Sequence, residues 1–177
     1  MNELARSFEH TAEAYERGRP GYAEAAIDAL DLPSDAVVLD LAAGTGKLTR
    51  QLVARFARVV AVEPLDGMRA VLERVVPEAE ALKGSADAIP LEDASVDAVF
   101  VGEAFHWFGN DAAVREIARV LRPHGVLAIL FNQVDGDFEP ALPEPDRMQL
   151  LVELGELVPD EHYRHSLRTE LYWTRLS

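Results

Sequence analysis

Asp40, Ala42, Gly44 and Gly46 fall at every second position of "VLDLAAGTGKLT", and an acid, Glu63, closes the next apolar run 17 residues past Gly46. Glycines at Gly44 and Gly46 let the backbone turn sharply and approach a ligand with no Cβ in the way. A carboxylate ending the neighbouring strand can accept hydrogen bonds from both hydroxyls of a ribose. The chemistry this spacing suits is recognition of a nucleotide at a strand-to-helix turn. A second group with chemical capacity is His106 in "EAFHWF", whose imidazole has a pKa suited to proton transfer near neutrality.

Three ligand classes use glycine-rich turns, and the spacing separates them. A phosphate loop needs G-x-x-x-x-G-K-[ST]. Gly46 and Lys47 supply "GK", but the earlier glycine position holds Leu41 and the hydroxyl position holds Leu48. A dinucleotide fingerprint G-x-G-x-x-G would fall on Ala42, Gly44 and Lys47, placing a long cation where helix and strand must pack closely; a nicotinamide-dependent oxidoreductase is disfavoured on that ground. The pattern that fits is D-x-[GA]-x-G-x-G followed by an acid at the end of the next strand. For His106, no second histidine lies at i+3 or i+4, so no metal site is expected. It acts either as a general base or, the preferred reading, as a residue that orients its loop through a backbone hydrogen bond while Phe105, Trp107 and Phe108 shape the pocket.

The elements that would position these residues can be read from periodicity. Strands are expected at 37–41 and 59–63, where Val37, Val38 and Leu39 and the run Val59 to Val62 are apolar without alternation, as in parallel strands covered on both faces. Further strands are expected at 80–83, 96–101 and 126–131, with helices at 46–55, 66–75 and 111–121. This alternation specifies a doubly wound, mostly parallel α/β sheet. Two helices, 3–17 and 22–30, precede it, the second burying Ala25, Ala26, Ala29 and Leu30. Asn110 is the expected N-cap of a helix whose stripe is Val114, Ile117, Ala118 and Leu121, and "RPHG" ends it. Beyond Phe131 the regularity fades: "DGDFEPALPEPD" is acidic and proline-rich, followed by a helical stretch at 147–157 and a last strand at 167–173.

Composition bounds the function. The 177 residues suffice for one domain, and 49% hydrophobic with 27% charged residues is a globular mix. With 31 acidic against 17 basic residues the net charge is -14, a field that repels phosphate backbones and acidic membranes, so nucleic acid and membrane partners are not expected. There is no cysteine, hence no disulfide, thiolate metal site or thiol nucleophile. The first twenty residues lack a signal peptide's basic start and apolar run, and no stretch approaches the ~20 apolar residues of a membrane span. A cytoplasmic protein is the expectation.

In order and spacing, "FEHTAEAYERGRPGY", "VLDLAAGTGKLT", "VVAVEP", "GSADAIPLEDASVDAV", "EAFHWF" and "LRPHGVLAI" resemble class I S-adenosylmethionine-dependent methyltransferases of the small-molecule, UbiE- or trans-aconitate-methyltransferase-like type. The resemblance runs over residues 8–131, roughly three quarters of the chain. It implies a Rossmann-like fold, S-adenosylmethionine as cofactor, and methyl transfer to a small or medium-sized acceptor by in-line displacement. By the same resemblance Asp40 and the backbone at Ala42 and Gly44 hold the methionine part, and Gly46 completes the turn. Glu63 holds the ribose, Ala86 and Asp87 face the adenine, and Glu103 and Ala104 line the floor near the sulfonium. Tyr15, Arg19 and Tyr22 either cover the cofactor's carboxylate or only dock the leading helices. Phe105, Trp107 and Tyr22 border the acceptor.

The resemblance implies one domain over 1–177, with N-terminal helices in 1–34, the cofactor core in 35–131 and an atypical C-terminal segment in 132–177. Three positions depart from the family pattern. Ala42 replaces the first glycine of the motif and is expected to be tolerated with a non-positive φ. His124 stands where a glycine is usual in "LRPHG" and is expected in a left-handed turn conformation. The family sheet ends in an antiparallel pair, whereas 132–177 offers a single strand candidate. That leaves an edge that is unfinished, differently built, or covered by a second copy in a homodimer. A non-catalytic cofactor- or partner-binding module is the alternative function.

Overall fold

The computed structural model describes residues 16, 20–134 and 167–176. Its strands are β1 (Val37–Leu41), β2 (Arg58–Val62), β3 (Glu80–Leu82), β4 (Val96–Gly102), β5 (Leu121–Val134) and β6 (Leu167–Arg175). The helices are α1 (Glu24–Asp28), α2 (Lys47–Val53), α3 (Asp66–Val75), α4 (Phe105–Phe108) and α5 (Asp111–Val120). Among the described residues the strands form one sheet in the order β3-β2-β1-β4-β5-β6. All neighbours are parallel except β5 and β6, which pair antiparallel from Val126↔Arg175 to Val134↔Leu167. The strand order reverses between β1 and β4, and the crevice beyond their carboxyl ends is where an open sheet of this kind takes a ligand.

The central strands lack alternation because both faces are covered. Leu39, Leu41, Val60, Val62, Val99 and Val101 pack against Ala113, Ile117 and Val120 of α5, with Ala86 and Ile89 of the loop before β4. Val38, Val59, Ala98, Phe100, Ala128 and Leu130 pack against Ile27, Leu30, Leu48, Leu52 and Phe56 on the other face. Burying one such side chain contributes about 1.5–3 kcal/mol, so the two clusters fix the strand ends that carry the site.

Several elements differ from expectation. The helix expected at 22–30 is confined to α1, where Ile27 is buried, Ala26 half-buried and Ala25 exposed; in the turn after it Ala29 is exposed and Leu30 buried. Of the stripe expected on α5, Ile117 and Leu121 at its C-cap are buried and Ala118 is half-buried, but Val114 is 48% exposed, and Ala113 and Val120 are buried as well. Asn110 does cap α5, its side chain accepting from Ala112 N and Ala113 N. The fifth strand begins at Leu121 and not at 126. Leu121 pairs with Val96 and Val126 pairs with Ala98, so residues 122–125 bulge out opposite Asp97. His124 takes φ 66 there, the left-handed conformation expected of it. Residues 105–108, read as loop, form the one-turn helix α4. The C-terminal strand exists, as β6, and its Tyr172 and Trp173 are 57% and 55% exposed. The helices expected at 3–17 and 147–157 lie outside the described residues, apart from Glu16, which is helical.

Candidate functional site

The turn between β1 and α2 is built from left-handed residues. Ala42, Gly44 and Gly46 have φ of 59, 58 and 92. The expectation for Ala42 is thereby corrected: the turn requires a glycine-like conformation, and alanine adopts it at a steric cost of about 1–2 kcal/mol. At Gly46 a Cβ would meet Val76 and Leu72 at 3.1 and 3.2 Å, so α2 begins where α3 leaves no room for a side chain.

Two carboxylates lie under this turn. Glu63, 4% exposed, closes the turn against the end of β2. Gly44 N donates to its Oε2 and Leu65 N to its Oε1, both at 2.9 Å. Each oxygen keeps a further lone pair for a ligand hydroxyl. Burial raises the Glu63 pKa, opposed by the two backbone donors and the charge of Arg69. Asp40, 1% exposed, accepts from Thr49 Oγ1 in the first turn of α2 at 2.6 Å. Burial and, after it, the neighbouring Glu63 charge push its carboxyl up to about 7 against the Thr49 bond. The tie to Thr49 means that Asp40 secures the start of α2.

Above the turn lies Glu16. Its carboxylate accepts from Thr45 Oγ1 at 2.7 Å and Arg50 Nη2 at 2.8 Å, with Lys47 Nζ at 3.5 Å. Burial would raise this carboxyl, but those bonds and charges outweigh it and leave its pKa below the usual value. The lysine that breaks the dinucleotide fingerprint is therefore engaged with the N-terminal segment.

On the adenine side of the expected site, Ala86 is buried and Asp87 exposed. Asn110 Nδ2 donates to Asp87 Oδ1 at 3.3 Å. Past β4, Glu103 adopts φ 56 and its Oε1 accepts from Asn132 N of β5. A strained non-glycine residue at a strand end is the kind of feature that clusters at ligand sites. Ala104 is buried behind it. The Tyr22 hydroxyl lies so close over Gly102 that a Cβ there would come to 2.5 Å of it. The segment carrying Tyr22 is tied to the far strands: Asn132 Nδ2 donates to Gly21 O, and Thr169 Oγ1 accepts from Ala23 N and donates to Asn132 Oδ1.

The aromatic group is partly assembled. Phe105 packs edge-on to Phe108 at 5.8 Å, and the exposed His106 lies 4.8 Å from the Trp107 ring and 6.2 Å from Phe131. Trp107 is 37% exposed. Tyr15 and Arg19 lie outside the described residues. No group of three potential metal-ligating side chains converges among the described residues, and no helix there is long and apolar enough to cross a membrane.

Sequence reasoning did not assign roles to Thr49, Thr45, Glu16, Asn132 or Thr169. Thr49 carries a local signal, a hydroxyl three residues past the last glycine of the turn. The partners of Glu16, Asn132 and Thr169 lie tens of residues away, and only the fold joins them.

The family described as "Methyltransferase domain" matches residues 39–129. An uncharacterized methyltransferase of Mycobacterium tuberculosis is 47% identical over 157 residues, covering 88% of this chain and 60% of that one. A malonyl-[acyl-carrier protein] O-methyltransferase of Methylococcus capsulatus is 43% identical over 102 residues, 54% of this chain and 37% of that one. The chain thus spans about three fifths of the mycobacterial relative or less of the other. Among solved structures, a SAM-dependent methyltransferase from Aquifex aeolicus has the same fold, with a TM-score of 0.63 over 82% of this chain and 87% of that one at 23% identity. The YcgJ protein of Bacillus subtilis gives a TM-score of 0.55 at 26% identity over 63% of this chain and 50% of that one.

Proposed function

The chain belongs to the class I S-adenosylmethionine-dependent methyltransferases, and from that premise we propose that it binds S-adenosylmethionine and transfers the methyl group to a small or medium-sized acceptor. The observation that carries the reading is the Glu63 carboxylate, buried at the end of β2 and aimed by Gly44 N and Leu65 N. A buried acid held by two backbone donors, with lone pairs to spare beside a left-handed glycine turn, is a receptor for vicinal hydroxyls. The donor set fits the cofactor in a second respect: Asp40 is a buried acid whose ionisation is opposed by burial and then by the neighbouring Glu63 charge, and a ligand bearing an ammonium and a sulfonium relieves that cost.

When bound, the cofactor would supply a methyl group activated by its sulfonium for transfer to an acceptor lone pair. The protein's part is alignment and exclusion of water. Glu63 holds the ribose. Asp40, Ala42 and Gly44 shape the methionine end, Ala86 and Asp87 take the adenine, and Glu103 and Ala104 floor the reacting centre. Tyr22, Phe105 and Trp107 border the acceptor, with Tyr15 and Arg19 assigned to the covering segment on sequence grounds alone. His106 orients this border, or takes a proton where the acceptor is a hydroxyl. The Methylococcus relative's acceptor is not carried over, because the match covers little more than a third of that protein.

The test is formation of S-adenosylhomocysteine from S-adenosylmethionine over a panel of hydroxyl, carboxyl and amine acceptors, beside Glu63→Ala. Acceptor-dependent product is expected, and loss of the bonds to a charged group should weaken cofactor binding by roughly 1.5–3 kcal/mol in the variant. Binding without transfer to any acceptor would favour the non-catalytic module, and an unchanged affinity would remove Glu63 from the ribose site.

A further inference from the structure

The loop that carries Ala86 and Asp87 is fastened to α5 by a network centred on Arg119. Arg119 Nε and Nη2 donate to Glu116 Oε1 and Oε2 at 2.7 and 2.8 Å. The same guanidinium reaches across to the loop, donating to Ile89 O at 2.9 Å, Leu91 O at 2.7 Å and Asp93 Oδ1 at 2.8 Å. Glu116 Oε2 in turn accepts from Ile89 N at 2.9 Å. The backbone donors Ala94 N and Ser95 N bond to Arg119 O and Val120 O, both at 2.9 Å. At the other end of α5 its N-cap residue, Asn110, donates to Asp87 Oδ1. Asp87 Oδ2 takes no donor among the described residues.

This network is more than a surface ion pair. An exposed pair contributes little, but a guanidinium fork that engages a carboxylate in bidentate fashion and also two main-chain carbonyls fixes a backbone path. The Arg119 bond, followed by the Ile89 amide, holds the Glu116 carboxyl down at about 2, so its charge persists throughout the neutral range. Lysine, a single flexible point charge, could not make the same set of bonds.

We propose that Arg119, braced by Glu116, is a positioning residue for base recognition: by pinning residues 89–93 to α5 it sets where Ala86 and Asp87 stand, and so determines how sharply the protein tells adenine from other purines. The inference rests on the reading that Ala86 and Asp87 face the adenine. Asp87 Oδ2 is then the acceptor for the exocyclic amino group, and a purine without that group leaves the carboxylate oxygen without its donor.

The experiment compares affinities for S-adenosylhomocysteine and its analogue with hydrogen in place of the 6-amino group, which keeps N1 unprotonated and differs only at that group, in the parent, Asp87→Ala, Arg119→Met, Arg119→Lys and Glu116→Gln, with thermal melts to establish folding. The parent should favour the adenine ligand by about tenfold or more, the ratio that one hydrogen bond to a carboxylate supplies. Asp87→Ala should abolish the preference, and Arg119→Met and Arg119→Lys should bring it close to unity. Glu116→Gln should reduce it in part, and serves alone if the Arg119 variants do not fold. An Arg119 or Glu116 variant that binds both ligands more weakly while keeping the parent's ratio would overturn the inference and leave the network a purely structural one. A parent without any preference would instead refute the adenine reading itself, a result visible before any variant is measured.

Discussion

At the scale of single residues, the ionisation of Asp40 is the quantity most exposed to experiment. Burial first and the Glu63 charge second raise its carboxyl from 3.8 to about 7. An acid raised in the folded state keeps a proton that the unfolded chain has already shed, so stability falls as pH climbs from about 4 to about 7 and levels off above. Asp40→Asn removes the charge while leaving a carbonyl oxygen for Thr49 Oγ1. The variant should therefore exceed the parent in stability by roughly 1–4 kcal/mol at pH 7, with the difference shrinking toward pH 5. Urea midpoints across that range check it. Equal midpoints at every pH would mean that Asp40 is not an uncompensated buried charge. Glu63 and Gly44 were legible from sequence because their positions follow from strand ends and spacing. Thr49 and Glu16 were not: hydroxyl and carboxylate partners over a turn depend on side-chain directions that spacing does not encode. Ala42 shows the converse, a conformation imposed by its neighbours on a residue that does not favour it.

At the scale of elements, long non-alternating apolar runs gave β1, β2 and β4 within a residue, and α3 over its whole length. Near α1 and on α5 the sequence pattern turned Ala25, Ala29 and Val114 inward, whereas all three are exposed, because local periodicity does not encode which face of a short helix meets the sheet. The extent of β5 was missed because the pairing of Leu121 with Val96 spans a bulge that local pattern reads as a turn. Between elements, the junction of Tyr22 with the end of β4 determines how the N-terminal segment borders the crevice. In Gly102→Ala the new methyl would stand 2.5 Å from the Tyr22 hydroxyl and 3.2 Å from Leu48, which should cost about 1–3 kcal/mol by overpacking. Adding Tyr22→Ala should recover part of that loss, so the double variant is less destabilised than the two singles predict together. Strictly additive penalties in chemical denaturation would show that Tyr22 does not lie over Gly102.

At the scale of the molecule, the glycine turn and the acid that follows β2 lie at the carboxyl ends of the strands, where the sheet order reverses between β1 and β4, and the chain as a whole carries a net charge of -14. That field favours a cationic ligand over a polyphosphate, in agreement with the two buried acids under the turn. The sequence spacing had already separated a phosphate loop and a dinucleotide fingerprint from the observed motif, and the engagement of Lys47 by Glu16 shows where the disqualifying cation goes. The central claim is that the crevice beyond these strand ends is built for the adenosyl and methionyl groups of one cofactor. Calorimetric titration of the protein with S-adenosylmethionine, S-adenosylhomocysteine and NAD tests it most directly. Saturable binding of the first two and none of NAD is the predicted result; saturable binding of NAD with neither of the others would contradict the account.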